Sequence, residues 1–252
     1  MNIDFPNPVG LAAGFDRDGE LLSSFIPAGF GFIEIGTVNV NSTCNEGESL
    51  KKIINNIQHS KSSSENKTVI GVSLGSLRDT IDDNTVADYI TGMELFWNCS
   101  DYLVINLSRP GSSMRDKSTI NSELHLLLNK VKQSHSELCT RHGTYRPVIV
   151  KIAIEYKKSS LSLPETLTIA LELQFDGLLL AFENWPSSDD IVTALGKVLL
   201  LTNKLPLIVV GGIKTASDVS KILSAGAVLV QCYTLFVDKT PEEINKTIVD
   251  LL

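Results

Sequence analysis

Long hydrophobic runs are missing from this sequence: no stretch approaches the ~18 apolar residues that a membrane-spanning helix needs. The opening residues, Met1-Asn2-Ile3-Asp4-Phe5-Pro6, carry neither the basic region nor the apolar region of a secretory signal. A cytoplasmic location without a membrane domain is expected. Basic residues are also in deficit, with 22 Lys and Arg against 29 Asp and Glu, a formal net charge of −7. Phosphate contacts need clustered cations, so a nucleic-acid partner is not expected. Cysteine is scarce, and Cys44, Cys99, Cys139 and Cys232 lack metal-type spacing. His59, His125, His135 and His142 form no His-x-His or His-Glu-x-x-His pattern. Reduced thiols and no metal site are expected.

What is present is rhythm. Short apolar runs recur at intervals near ~30 residues, each followed by a helix-like stretch, the pattern of repeated β-α units whose strands are buried on both faces. Strands are expected at residues 9–13, 32–38, 68–73, 102–107, 148–152, 177–181, 207–210 and 229–232. Eight is the number for a closed (β/α)8 TIM barrel, and 252 residues is its usual size. One domain, residues 1–252, is expected.

Helical spacing of apolar residues appears at 86–97, 123–132 and 164–174. Thr215 is placed to cap a helix that Ala225-Gly226 closes, and Pro241 to begin the last one. The stretch 41–67, rich in Ser, Asn, Lys and Glu, breaks the rhythm. One short helix around 49–57 followed by an exposed, mobile loop is expected there.

In such barrels the working groups sit at the C-terminal ends of the strands. Those ends read Ala12-Ala13-Gly14, Gly36-Thr37, Ser73, Asn106, Lys151, Phe182, Gly211-Gly212 and Tyr233-Thr234. Val210-Gly211-Gly212-Ile213 after the seventh strand lets backbone approach an anion. Ala225-Gly226-Ala227, then Gln231-Cys232-Tyr233-Thr234, leads into a turn whose N–H groups can face a phosphate. Either glycine group alone reads as a tight turn, but both in this order fit the phosphate cradle of the fold. Lys151, an amine in a barrel mouth, needs an anionic partner or must lose its charge.

Several segments resemble the quinone-linked (class 2) dihydroorotate dehydrogenases. They are Asn7-Pro8-Val9-Gly10-Leu11-Ala12-Ala13-Gly14-Phe15-Asp16 with Asp18-Gly19-Glu20, Gly29-Phe30-Gly31-Phe32-Ile33-Glu34-Ile35-Gly36-Thr37-Val38, Val150-Lys151-Ile152-Ala153, and residues 209–234. The resemblance spans nearly the whole chain apart from 41–67. It implies flavin mononucleotide (FMN) as cofactor, with contacts from Ala12, Ala13, Gly14 and Thr37. Ser73 stands where the family has a flavin-side Asn. Asn106 and Lys151 would meet the ring, and Gly211, Gly212, Gly226, Tyr233 and Thr234 would hold the phosphate. A cation at the N1–C2=O edge stabilises the negative charge a reduced flavin acquires.

The substrate side departs from the family. Its Asn-x-Ser-Ser-Pro-Asn pattern reads Asn106-Leu107-Ser108-Arg109-Pro110-Gly111 here. Arg109 occupies the catalytic base position and stays protonated, so it accepts no proton; Ser108, Ser112 and Ser113 are weak substitutes. Gly111 replaces a substrate-binding Asn, Phe182-Glu183 replace Asn-Thr, and Arg17 replaces a Lys. The family's Asn-Arg-x-Gly-Phe-Asn segment is missing from 41–67. The helical pair that docks the family to membrane quinone is expected to be absent, since the first residues already match the family's first barrel strand. The substrate site is thus expected around Arg17, Asn106, Gly111, Phe182 and Glu183. Three readings stay open: a flavin oxidoreductase with a changed substrate, a non-catalytic FMN-binding or scaffold protein, and a true dihydroorotate dehydrogenase of pyrimidine biosynthesis.

Overall fold

A computed structural model describes residues 2–40, 46–62, 67–78, 80–107, 117–156, 163–183, 185–202 and 205–252. Eight strands close in sequence order into one parallel barrel: β1 (Val9–Leu11), β2 (Phe32–Asn39), β3 (Val69–Gly75), β4 (Tyr102–Asn106), β5 (Val148–Ala153), β6 (Gly177–Ala181), β7 (Leu207–Val210) and β8 (Leu229–Cys232). Closure is made by β1 on β8, with Gly10 opposite Gln231. Eight helices alternate with the strands: α1 (Leu22–Phe25), α2 (Glu46–Lys61), α3 (Asp83–Phe96), α4 (Lys117–His142), α5 (Glu165–Glu172), α6 (Ser188–Thr202), α7 (Ala216–Ser224) and α8 (Pro241–Leu251). The expected (β/α)8 architecture is the one observed.

Alternation along each strand divides the core in two. Outward residues such as Ile33, Ile35, Val72, Leu103 and Val150 pack beneath the helices. Inward ones, Phe32, Val69, Tyr102, Val104, Ile149, Leu179, Ile208 and Leu229, fill the barrel near its N-terminal rim. Two glycines make room for the two rings. A Cβ at Gly10 would lie 2.3 Å from the ring of Phe32 on the neighbouring strand, and one at Gly71 would lie 2.1 Å from the ring of Tyr102. Glycine inside a buried strand here marks a ring from the adjacent strand.

Helix ends follow their caps. Thr215 and Asp218 form a reciprocal capping box on α7, and Thr240 and Glu243 form another on α8, with Pro241 in its first turn. Several boundaries differ from expectation. The helix expected at 49–57 runs from Glu46 to Lys61, because Ile53 and Ile57 are buried and Lys61 pairs with Asp101 at 2.5 Å; residues 41–45 and 63–66 lie outside the described residues. The helix expected at 123–132 is the centre of the 26-residue α4. β1 stops at Leu11, so Ala12 and Ala13 begin the loop. Helix α6 was not among the expected elements, although Ser187 and Asp190 start it, with Ser187 Oγ accepting from Asp190 N at 3.2 Å.

Candidate functional site

The C-terminal ends of the strands open onto a pocket of ≈ 340 Å³ whose walls include Ala13, Gly14, Arg17, Thr37, Asn106 and Glu183. These six expected residues are therefore brought together. Thr37 Oγ1 accepts a hydrogen bond from Asn106 Nδ2 at 2.8 Å and lies 3.3 Å from Ser73 Oγ. Ser73 itself is fully buried, so it acts on the mouth through Thr37. The Tyr89 hydroxyl, from α3, donates to the Asn106 carbonyl at 2.9 Å and fixes the end of β4.

The loop after β1 is held by Asp16. Its carboxylate accepts from Leu21 N at 3.1 Å, and its carbonyl accepts from Gly36 N at 3.3 Å. Burial pushes the Asp16 carboxyl up to about 6, against hydrogen bonds from this loop that pull it down. Arg17, next along, is exposed at the mouth.

At the β7 and β8 ends the backbone is turned for an anion. Gly211 and Gly212 have φ of +110° and +69°, the region glycine favours. Tyr233 and Thr234 lead into a 3₁₀ turn, Thr234–Phe236. Among the described residues, the N–H groups of Gly212, Tyr233 and Thr234 donate to no acceptor. N–H groups without an acceptor at two adjacent strand ends are of the kind that suits a phosphate. Each glycine also has a packing reason. A Cβ at Gly211 would lie 2.2 Å from the Phe182 carbonyl oxygen, and one at Gly212 would lie 2.3 Å from Ile191 Cδ1. Tyr233 borders the same region: its ring meets Phe15 edge-on at 5.5 Å and lies 3.5 Å from where a Gly14 Cβ would be.

Below the mouth, Lys151 is 8 % exposed, and among the described residues its ammonium has no hydrogen-bond or ion-pair partner. A nearly buried ammonium without a partner fits a ring edge that gathers negative charge, so the donor set is compatible with FMN.

Two expected positions are corrected. Gly226 lies in the turn between α7 and β8, at the N-terminal rim: two residues on, Val228 N donates to the carbonyl of Leu207, the first residue of β7. There a Gly226 Cβ would strike Leu199 of α6 at 2.7 Å, so the glycine serves packing and not the mouth. Phe182 is 1 % exposed and packs outward, its ring edge-on to Trp185 at 5.0 Å. Strand parity sends it beneath the helices, away from the barrel interior. Ser108, Arg109, Gly111, Ser112 and Ser113 lie outside the described residues.

Sequence reasoning missed part of the site. Arg78 and Ser76 also border the pocket. The buried Asp88 carboxylate accepts from Ser76 Oγ at 2.7 Å and from Arg78 Nε at 3.0 Å, which fixes that guanidinium at the rim. It also missed Glu34, whose charge inside an otherwise apolar inward row was the available signal.

A family model described as dihydroorotate dehydrogenase matches residues 1–49 and 190–252. A quinone-type dihydroorotate dehydrogenase of Shewanella halifaxensis is 32% identical, over 97% of this chain and 83% of its own length. One from Shewanella frigidimarina is 30% identical, over 98% and 83%. The ligand-free DHODH structure from Eimeria tenella superposes with a TM-score of 0.76 at 23% identity, covering 100% of this chain and 86% of that one. A barrel with a polar, cation-bearing mouth defines the class, and the chain belongs to the quinone-linked dihydroorotate dehydrogenase family. Among the described residues no helix is long and apolar enough to cross a membrane.

Proposed function

We propose that this chain binds FMN at the barrel mouth and acts as a flavin oxidoreductase whose substrate is not dihydroorotate. The observation that carries the flavin reading is the Lys151 ammonium, which among the described residues has no hydrogen-bond or ion-pair partner, below a mouth whose Gly212, Tyr233 and Thr234 N–H groups lack acceptors among the same residues. Gly212, Tyr233 and Thr234 would hold the phosphate, while Ala13, Gly14, Thr37 and Asn106 would border the ring. Bound FMN would supply two-electron, hydride-accepting chemistry. Lys151 would set a positive charge against the N1–C2=O edge, and the Thr37–Asn106 hydrogen bond would fix the amide that meets the ring.

The substrate reading rests on the sequence of the β4 loop. Oxidation of dihydroorotate needs a base to take the C5 proton, a contribution of about 10²–10⁴ in rate. Arg109 stands at that position and remains a cation. Gly111 offers no side chain to orient the ring, and Glu183 would repel the orotate carboxylate. Arg17 and Arg78 at the mouth favour an anionic substrate nonetheless.

The test is anaerobic stopped-flow absorbance of the FMN-loaded protein. Dithionite is expected to bleach the flavin band, and dihydroorotate to leave it unchanged over many turnover times of an ordinary enzyme. Rapid bleaching by dihydroorotate would restore the reading of a true dihydroorotate dehydrogenase. Arg109→Ser alone is expected to rescue nothing, since Gly111 and Glu183 remain.

A further inference from the structure

The β3 side of the mouth holds a guanidinium that is fixed before any ligand arrives. Arg78 Nε donates to Asp88 Oδ2 at 3.0 Å, Ser76 Oγ donates to the same oxygen at 2.7 Å, and Arg78 N donates to Ser76 Oγ at 3.3 Å. The Asp88 side chain is 3 % exposed and that of Arg78 38 %, so the pair runs from the buried side of α3 to the rim. Only Nε is engaged: among the described residues Nη1 and Nη2 have no partner. Asn39, opposite Gly75 in the sheet, borders the same pocket with a side-chain amide that also lacks a partner among the described residues. Leu77, Ile81, Leu107 and Leu127 give the pocket an apolar lining beside these two polar groups. The charges are separated around the barrel. Glu183 follows β6, three strands from β3 in the closed order. Arg17 follows β1 and has no hydrogen bond or ion pair among the described residues to fix its fork.

We infer that Arg78 is a specificity-determining residue, whose free Nη edge takes the carboxylate of a small substrate with an apolar body. The inference deepens the proposed function and rests on it for the flavin that would lie beside this subsite. Two Nη groups in one plane match the two oxygens of a carboxylate, a geometry that an ammonium does not offer. Holding the fork through Nε removes much of the ordering cost that a long side chain otherwise pays on binding. Asp88 therefore acts as a positioning residue, although its negative charge taken alone opposes an anion. The Asn39 amide adds a donor on the neighbouring strand, and the leucine lining accepts the remainder of the molecule. Repulsion by Glu183 turns the acid group toward β3 and away from β6.

The probe is benzoate, a planar carboxylate on an apolar ring, with benzamide as its uncharged counterpart. Isothermal titration calorimetry on the purified chain, with and without FMN, is expected to show saturable benzoate binding and none of benzamide. Arg78→Met should weaken benzoate by about 10- to 100-fold, the value of a charge-assisted pair, and Arg78→Lys should restore only part of it. Asp88→Asn separates positioning from charge. It is expected to weaken benzoate by about 2–10-fold, since the fork must then be ordered at the moment of binding. Tighter binding in Asp88→Asn would overturn the inference, because a field effect alone gains when a nearby negative charge is removed. If Asp88→Asn does not fold, Ser76→Ala, which removes a donor to Asp88 Oδ2, is expected to weaken benzoate by a smaller amount. Absence of benzoate binding, or binding indifferent to Arg78→Met, would also overturn it; Arg78 would then only hold its loop to α3. In the FMN-loaded chain benzoate should perturb the flavin absorbance, and an unperturbed spectrum would refute the placing of this subsite beside the flavin. A chain that takes up no FMN would defeat the flavin reading, while calorimetry on the flavin-free chain would still decide the role of Arg78.

Discussion

The two ends of the barrel are made from the same eight strands and are built on opposite terms. At the N-terminal rim the interior is closed by rings and aliphatic side chains: Phe5 meets Phe32 edge-on at 5.4 Å, and Tyr102 lies over Gly71. At the C-terminal mouth the interior turns polar, with Glu34, Lys151, Gln231, Asn106 and Ser73 on inward positions and backbone N–H groups that lack acceptors among the described residues. One end gains stability from packing. The other holds groups that packing would reject, and such groups persist in a fold where a ligand or a reaction uses them.

That contrast can be broken most severely at the packed end. Phe32→Ala removes a ring with no exposure and leaves a cavity above Gly10. It is expected to cost about 3–5 kcal/mol, or a fall in Tm of about 6–20 °C for a chain of this size. A loss below about 1 kcal/mol in thermal unfolding would mean that the rim is not close-packed.

Asp16 tests the loop that follows β1 at the mouth. Its carboxyl is pushed up to about 6 in the folded chain. The folded state therefore holds the proton more tightly than the unfolded state. This contribution favours folding at pH 4 and is lost as pH rises toward 6, beyond which it stays flat. Because solvent and the loop hydrogen bonds moderate the effect, about 1–2 kcal/mol is expected across that window. Asp16→Asn should flatten the difference, which urea unfolding at pH 4, 5, 6 and 7 would measure; identical pH dependence in both proteins would refute the assignment.

Thr240→Ala removes the cap of α8 and should cost about 1 kcal/mol in the same unfolding measurement. Thr234→Ala sits at the open end and is expected to change stability by less than about 0.5 kcal/mol. Equal losses of stability for Thr234→Ala and Phe32→Ala would erase the distinction between rim and mouth.

The eight strands were readable because burial on both faces leaves short, nearly unbroken apolar runs such as Leu207-Ile208-Val209-Val210. The Thr215 cap of α7 and Pro241 of α8 were readable because both act locally. Helix α2 was underestimated because its exposed face is Ser, Asn and Lys, and its apolar stripe of Leu50, Ile53, Ile54 and Ile57 covers only the middle of the helix. Gly226 and Phe182 misled for a different reason. A glycine in a turn does not say which rim the turn occupies, and a residue at a strand end does not reveal its parity until the register is known. Glu34 and Asp88 escaped notice because their partners, Gln231 and Arg78, come from other elements or a loop whose course the sequence does not fix.

The account stands most directly on one titration. The purified chain, stripped of any flavin by dialysis against denaturant and refolded, is mixed with increasing FMN while flavin fluorescence is followed. Saturable binding of one FMN per chain, weakened at least about ten-fold in Lys151→Met, is the predicted result. A fluorescence signal that never saturates, or binding indifferent to Lys151, would contradict the claim that this mouth is a flavin site.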